Sequence, residues 1–253
     1  MANASLSRLV RYCQATLRPD QFQDWEEAFN GLQAQNCGLV TKIAAAVDAS
    51  LATIQLAVEA GADLMIVHHG LFWGQTVPWT GKRWEMLRML VRHNVAVYSS
   101  HLPLDAHPRL GNNAQLCAAL GLRNLKPFFL QRGHTIGWKS RTSISRPDLA
   151  RKLAAVLGAP AKILPGGPPR CARIGIVSGA AGANLKTAAA EKVDTFITGE
   201  GPHWTYAMAE ELGLNVFYGG HYATETFGVK ALGAELSKKF HLPWTFLDHP
   251  TGL

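Results

Sequence analysis

The sequence predicts a three-layer α/β fold, and three observations carry that prediction. Short apolar runs at residues 40–47 and 63–67 have the length and composition of strands buried on both faces. Between them lies a capped stretch of helical length, so strand, helix and strand follow one another as parallel pairing requires. After a proline- and glycine-rich turn at 164–169, the same order of elements starts again. With 253 residues, 47% of them hydrophobic, the chain can bury one large core or two smaller ones.

Taken in order, residues 5–17 place Leu6, Leu9, Val10, Cys13 and Leu17 at helical spacing and stop before Pro19, which gives an amphipathic helix. Residues 24–35 are polar. The strand 40–47 leads to Ser50, an N-cap for a helix over 51–60 that Gly61 closes. The strand 63–67 runs into His68-His69-Gly70-Leu71-Phe72-Trp73, and a helix over 82–93 leads to a strand over 95–100. That strand opens into His101-Leu102-Pro103-Leu104-Asp105-Ala106-His107-Pro108, where two prolines predict a shaped loop in place of an ordinary helix. Asn112 and Asn113 precede a helix reaching Leu120, with Gly121 as its stop. Residues 128–143 read as strands, and Ser145-Arg146-Pro147-Asp148 combines an N-cap, a first-turn proline and a capping-box acid for a helix ending at Gly158. The organisation that follows is a first α/β half over 1–124, a basic middle segment over 125–170 belonging to the second domain, and a second α/β half over 171–253.

Composition narrows the class. No run of about 18 apolar residues fits a membrane span, and residues 1–14 carry Arg8 and Arg11 without an apolar core of signal-peptide length. Cys13, Cys37, Cys117 and Cys171 form no C-x-x-C pair, so neither a disulfide framework nor a thiolate zinc knot is suggested. The cytoplasm is the expected location. The net charge of +7 is unevenly spread: residues 123–192 hold thirteen Lys or Arg against two acids, Asp148 and Glu191, while the rest of the chain holds twelve basic and sixteen acidic residues. Such an excess attracts an anionic small molecule or nucleic acid; a solvated basic face accounts for it equally well.

Two adjacent histidines at a strand end need a reason. Strand side chains alternate between faces, so His68 and His69 converge only where the backbone turns, as Gly70 permits. Open α/β sheets place their ligands there, outside the carboxyl ends of strands. Setting residues 42–47 over 173–178 without a gap puts Asp63 over Asp194, Ile66 over Ile197, Gly70 over Gly201 and Trp73 over Trp204, with His68-His69 over Gly199-Glu200. One shift of register sets Tyr98-Ser99-Ser100-His101 over Tyr218-Gly219-Gly220-His221, and each histidine has a carboxylate four residues on, Asp105 and Glu225. A diverged internal repeat of this kind would bring four strand ends toward one cleft and deliver His68, His69, His101, Asp105, His221 and Glu225 to a metal site. Imidazole and carboxylate suit zinc, iron or manganese, and a carboxylate can bridge two ions about 3.5 to 4 Å apart. The competing reading, polar loop residues satisfied by their neighbours, stays open on the residues alone.

The stretches Val67-His68-His69-Gly70-Leu71-Phe72-Trp73, His101-Leu102-Pro103-Leu104-Asp105-Ala106-His107-Pro108 with Gly111-Asn112-Asn113-Ala114, and Gly220-His221-Tyr222-Ala223-Thr224-Glu225-Thr226 together resemble the Nif-three-like family. That family is often labelled GTP cyclohydrolase I type-two homologue and includes the YbgI-like bacterial proteins. The resemblance covers nearly the whole chain. It implies two interlinked α/β domains, a toroidal homohexamer and two divalent metal ions per subunit, with His68, His69, Asp105, His221 and Glu225 as ligands and Glu225 as the bridging carboxylate. It makes His101 a wall residue of the site. Larger relatives carry an insert between the halves, and this chain resembles the compact form. The basic middle third is not explained by the resemblance.

A metal pair with open positions lowers the pKa of a water toward about 7 and clamps an oxygen that gains charge, which is the machinery of hydrolysis. The leading expectation is therefore a dinuclear-metal hydrolase acting on a nucleotide or related phosphorylated small molecule. His101 and Glu225 take catalytic roles in it, and His107, Glu200 and His203 carry protons, orient ligands or meet substrate. Ring opening of GTP is a narrower version, which a shared fold does not fix. Trp73 and Trp204 could wall a purine site, although core packing is the more ordinary role. The alternatives are a non-enzymatic metal-binding assembly or regulatory protein, and nucleic-acid binding through residues 123–192.

Overall fold

The computed structural model describes residues 2–26, 28–73 and 77–253. Its strands are β1 (Ala4–Ser5), β2 (Gly31–Ala34), β3 (Leu39–Val40), β4 (Ile43–Asp48), β5 (Leu64–His69), β6 (Ala96–Ser99), β7 (Lys126–Gln131), β8 (His134–Ser145), β9 (Lys162–Pro165), β10 (Arg170–Ile176), β11 (Thr195–Thr198), β12 (Asn215–Tyr218) and β13 (Trp244–Phe246). Its α-helices are α1 (Leu6–Leu17), α2 (Leu51–Glu59), α3 (Gly81–Arg92), α4 (Leu102–Asp105), α5 (Asn112–Ala119), α6 (Arg146–Leu157), α7 (Leu185–Ala190), α8 (Thr205–Glu211) and α9 (His221–Phe240). No helix of the described residues is long and apolar enough to cross a membrane.

Two compact units divide the chain: residues 1–104 with 228–249, and residues 105–227 with 250–253. These bounds differ from the 1–124, 125–170 and 171–253 drawn from sequence, for two reasons of packing. Leu116, Cys117 and Leu120 join the core of Leu149, Leu153, Ile174 and Phe217 in the second unit. Near the chain's other end, β13 pairs with β4 and so belongs to the first.

The first unit carries a sheet of order β13-β4-β5-β6-β2, parallel throughout except for β2 at one edge. A central parallel strand is covered on both faces, and Ile43, Ala44, Ala45, Ala46 and Val47 are all buried. The connection to β5 is set by capping: the Ser50 hydroxyl accepts the Thr53 N–H and the Thr53 hydroxyl accepts that of Ser50, which starts α2 as expected.

The second unit carries a sheet of order β7-β8-β10-β11-β12-β9, with β10, β11 and β12 parallel and β7, β8 and β9 antiparallel. Ser145 caps α6 by accepting the Asp148 N–H, and Gly158 ends it at φ 80°. Three local expectations change. Part of the 164–169 turn is strand, since β9 lies at a sheet edge where Pro165 is tolerated. The 101–108 loop contains the one-turn helix α4, with Pro103 in a first turn that has no use for its missing N–H. Asn112 and Asn113 lie inside the first turn of α5, after Gly111.

Strand, helix, strand, helix, strand follow one another in both units, and the first two strands pair in equivalent registers: Ile43 opposite Leu64, Ile174 opposite Thr195. The third strand corrects the sequence alignment by one residue. Val67 stands opposite Ser99 and Thr198 opposite Tyr218, so Ser99, not Tyr98, answers to Tyr218. On that register His101 answers to Gly220.

Candidate metal centre

The carboxyl ends of β4, β5 and β6 lie at one end of the first sheet. There β5 finishes with His68, fully buried, and His69, whose side chain is 17% exposed. Their ring centroids are 4.9 Å apart, and that of His101, just beyond β6, lies 4.9 Å from His68 and 5.6 Å from His69. One ring nitrogen from each of the three lies within 4.8 Å of the others.

Each ring is oriented through Nδ1. His68 Nδ1 lies 2.9 Å from the Ser100 carbonyl oxygen. A carbonyl only accepts, so Nδ1 carries the proton and Nε2 of the neutral ring carries the lone pair. His69 Nδ1 lies 2.8 Å from Oδ1 of Asp48, its cross-strand partner in β4. His101 Nδ1 lies 2.8 Å from Asp24 Oδ1. An acceptor on one imidazole nitrogen orients the other toward a metal and raises its basicity. Asp24 is held in turn by Trp25 N and Asn30 Nδ2, both at 2.8 Å, and by Leu102 N at 3.0 Å, while Asn30 Oδ1 accepts the His101 N–H at 2.7 Å. Burial pushes the Asp24 carboxyl up, but His101, Asn30 and the Trp25 N–H outweigh it and hold the group below the usual carboxylate range.

In the second unit α9 begins at His221, directly after Gly220, and Glu225 four residues on shares its helix face. His221 Nε2 lies 3.1 Å from Glu225 Oε2, and Nδ1 lies 2.7 Å from Oε1 of Glu200, just past β11. Burial pulls the His221 pKa down, but Glu225 and then Glu200 outweigh it and lift it to about 9. Glu225 is 3% exposed, and its Oε1 presses into the space a side chain on Gly179 would need. Asp105 is buried with Oδ1 accepting from Asn112 Nδ2 at 2.8 Å and Ser178 Oγ at 3.1 Å. Asn113 braces the same place, donating to the Ile136 carbonyl and accepting from Ser178 N.

The first unit therefore gathers His68, His69 and His101, and the second carries His221 against Glu225, with Asp105 fixed by its own partners. Glu200 orients His221. His107 accepts the N–H groups of Arg109 and Leu110 at Nδ1, 3.2 and 2.9 Å away, and so shapes its own loop. His203 is exposed in the turn before α8. Trp73 and Trp204 are 45% and 49% exposed, which overturns core packing for both; Trp73 rests against His69 and His101 at centroid distances of 5.0 and 4.8 Å. Sequence reasoning missed Asp24 and Asp48. The donor chemistry fits a divalent ion, since the imidazoles are pre-oriented and the carboxylates Asp105 and Glu225 are buried. Burial pushes the Cys13 and Cys117 thiols up to about 12, so neither competes as a thiolate.

Residues 4–251 match the family described as Duf34/NIF3 (NGG1p interacting factor 3). A Deinococcus radiodurans protein named GTP cyclohydrolase 1 type 2 homolog is 42% identical over 247 residues, covering 97% of this chain and 93% of its own. Among solved structures, TTHA1606 from Thermus thermophilus has a TM-score of 0.92 at 40% identity, over 99% of this chain and 100% of its own. The protein YbgI, described as of unknown function, has a TM-score of 0.91 at 34% identity over the same shares. The motif resemblance and these likenesses agree, and the chain belongs to the Duf34/NIF3 family.

Proposed function

We propose that this chain is a hydrolase built around two divalent ions, and that it acts on a nucleotide or related phosphorylated small molecule. His68, His69, Asp105, His221 and Glu225 would hold the ions, with Glu225 bridging, and zinc, iron and manganese all suit this donor set. The observation that carries the reading is the shared orientation of four imidazoles: His68, His69, His101 and His221 each have Nδ1 between 2.7 and 2.9 Å from an oxygen acceptor. Metal-binding histidines are held in this way, whereas polar loop residues have no need of it. A divalent pair supplies Lewis acidity and a water acidified toward neutral pH.

The chain's own residues then have definable work. Asp24 fixes the tautomer of His101 and supports it as a proton carrier beside the exposed indole of Trp73, a surface on which a base can stack. Glu200 orients His221, and Asn112, Asn113 and Ser178 hold the Asp105 carboxylate. The proposal includes a common origin for the two strand-helix-strand units, which would bring both donor groups to one cleft. It also includes a homohexamer and a cytoplasmic location. GTP ring opening, named in the relatives' label, is one reaction to test among phosphoester and nucleotide hydrolyses.

Elemental analysis of the purified protein should find two divalent ions per chain, and His69→Ala should lower that content while leaving thermal unfolding nearly unchanged. A screen of nucleotides and phosphoesters, with formate release followed for GTP, should then find turnover that Glu225→Gln abolishes. Full metal occupancy without turnover on any substrate would replace the enzyme with the alternative, a metal-binding assembly or regulatory protein. Light scattering should give the mass of six chains.

A further inference from the structure

The metal-centre reading leaves the basic middle third unused, and one face of the second sheet gathers five of its thirteen cations around a single cavity. Lys126 in β7 stands directly opposite Lys139 in β8, and Arg141 in β8 stands directly opposite Arg173 in β10. Opposed residues point to the same side, and Lys139 and Arg141 are two apart on one strand, so all four cations share a face of the sheet. Like charges directly opposite one another destabilise a sheet, so this arrangement weakens the unit unless an anion offsets it. The turn carrying Glu191 and Lys192 borders the same face, and together they line a cavity of about 420 Å³.

Acids answer only two of the five cations. Lys139 Nζ lies 2.9 Å from Glu191 Oε2, and Arg173 Nε lies 3.3 Å from Asp194 Oδ2. Lys126, Arg141 and Lys192 have no acid within ion-pair distance among the described residues. The cavity is also remote from the donors of its own unit. Arg173 precedes Gly179 by six residues along β10 and its continuation, about 20 Å at strand rise, so the cations stand toward the amino ends of the parallel strands and Glu225 and His221 at the carboxyl ends.

We infer that this cavity binds a small molecule bearing two or three linked phosphates, with Lys126, Arg141 and Lys192 as its charge partners. The volume is that of a small-ligand site, and the two acids beside it disfavour a long polyanion that would have to pass over them. The inference stands apart from the metal centre, since none of the proposed ligands lines the cavity.

Calorimetric titration of the full chain with inorganic tripolyphosphate at low salt, after divalent ions are removed by chelation so that the metal centre does not compete for the probe, tests it. The expected result is one bound per chain, with affinity reduced at least about tenfold in the double variant Lys126→Ala, Arg141→Ala. That variant relieves opposed like charges, so its unligated melting temperature should hold or rise, which separates lost binding from lost folding. Glu225→Gln should leave tripolyphosphate binding unchanged, whatever becomes of hydrolysis. No binding at millimolar concentration, undiminished binding in the double variant, or loss of binding in Glu225→Gln would each overturn the inference. So would a single-stranded oligonucleotide that binds more tightly than tripolyphosphate and weakens in the same double variant, since the patch would then be a nucleic-acid face.

Discussion

The first unit ties Asp63 to the amides of Thr41 and Lys42, at 2.9 and 3.1 Å, and the second ties Asp194 to those of Ala172 and Arg173, both at 3.0 Å. In each case the aspartate opening the second strand anchors the start of the first, and its carbonyl then receives the amide that opens the third, from Ala96 or Asn215, again at 3.0 Å. At the carboxyl ends of the same strands the likeness stops. Where the first unit has Asp48 holding His69, the second has Gly179 and Glu200, and Glu225 takes the room that the missing side chain leaves. The amino ends carry the framework, because unpaired strand-start amides are costly in any sequence. The carboxyl ends differ in residues and in bonding, with His68, His69 and Asp48 in the first unit and Gly179 and Glu200 in the second.

The largest effect should come from the shared aspartates. Asp194→Ala removes a buried carboxylate on which two part-buried backbone amides and the Thr195 hydroxyl converge, and should cost about 3 kcal/mol. Asp63→Ala should cost less, because its partly exposed position admits water. Urea unfolding of both variants compares them directly, and a greater loss at Asp63 would break the parallel. The strand ends come next. Asp48→Ala should leave stability within about 1 kcal/mol and weaken metal binding by about 10- to 100-fold through a loosened His69. Gly179→Ala, at φ +67° and against the Glu225 carboxylate, should cost about 1–2 kcal/mol and disturb metal binding as well. Metal titration beside unfolding checks both; a Gly179→Ala protein normal in both respects would show that the glycine makes no room for Glu225.

The smallest effects separate by pH once divalent ions are chelated. The Asp24 carboxyl is held low, so its contribution is fully present above the ordinary value of 3.8 and is lost as pH falls through the depressed one. The His221 value is raised, so its contribution is fully present below 6.5 and is lost as pH rises through about 9. Thermal melts should therefore show an acid limb that Asp24→Asn flattens and an alkaline limb that Glu225→Gln flattens. A variant that flattened the opposite limb would unseat the assignment.

Local signals were readable without coordinates: the caps at Ser50 and Ser145, the stops at Gly61 and Gly158, and the convergence of His68 and His69 where β5 ends. Asp24 was not, since it lies 77 residues from the ring it holds, in a stretch that shows only polarity. Asp48 left a usable trace, an acid closing an apolar strand beside one that ends in two histidines. The tyrosine match between the third strands misled by one position, because hydrogen-bond register and not side-chain identity sets which residues correspond. Nothing local announces that Trp244, Thr245 and Phe246 pair with Ile43, Ala44 and Ala45.

That last pairing bears on how the protein is made. The strand that covers the outer edge of β4 is synthesised about 200 residues after it, so β4, apolar from Ile43 to Val47, must wait with that edge open. At about 5 to 20 residues per second the wait is about 10 to 40 seconds, long for an unpaired edge of this kind. A message truncated before Trp244 would release a chain whose first sheet can be completed only by another chain, and chaperones and proteases would meet that product before any substrate did.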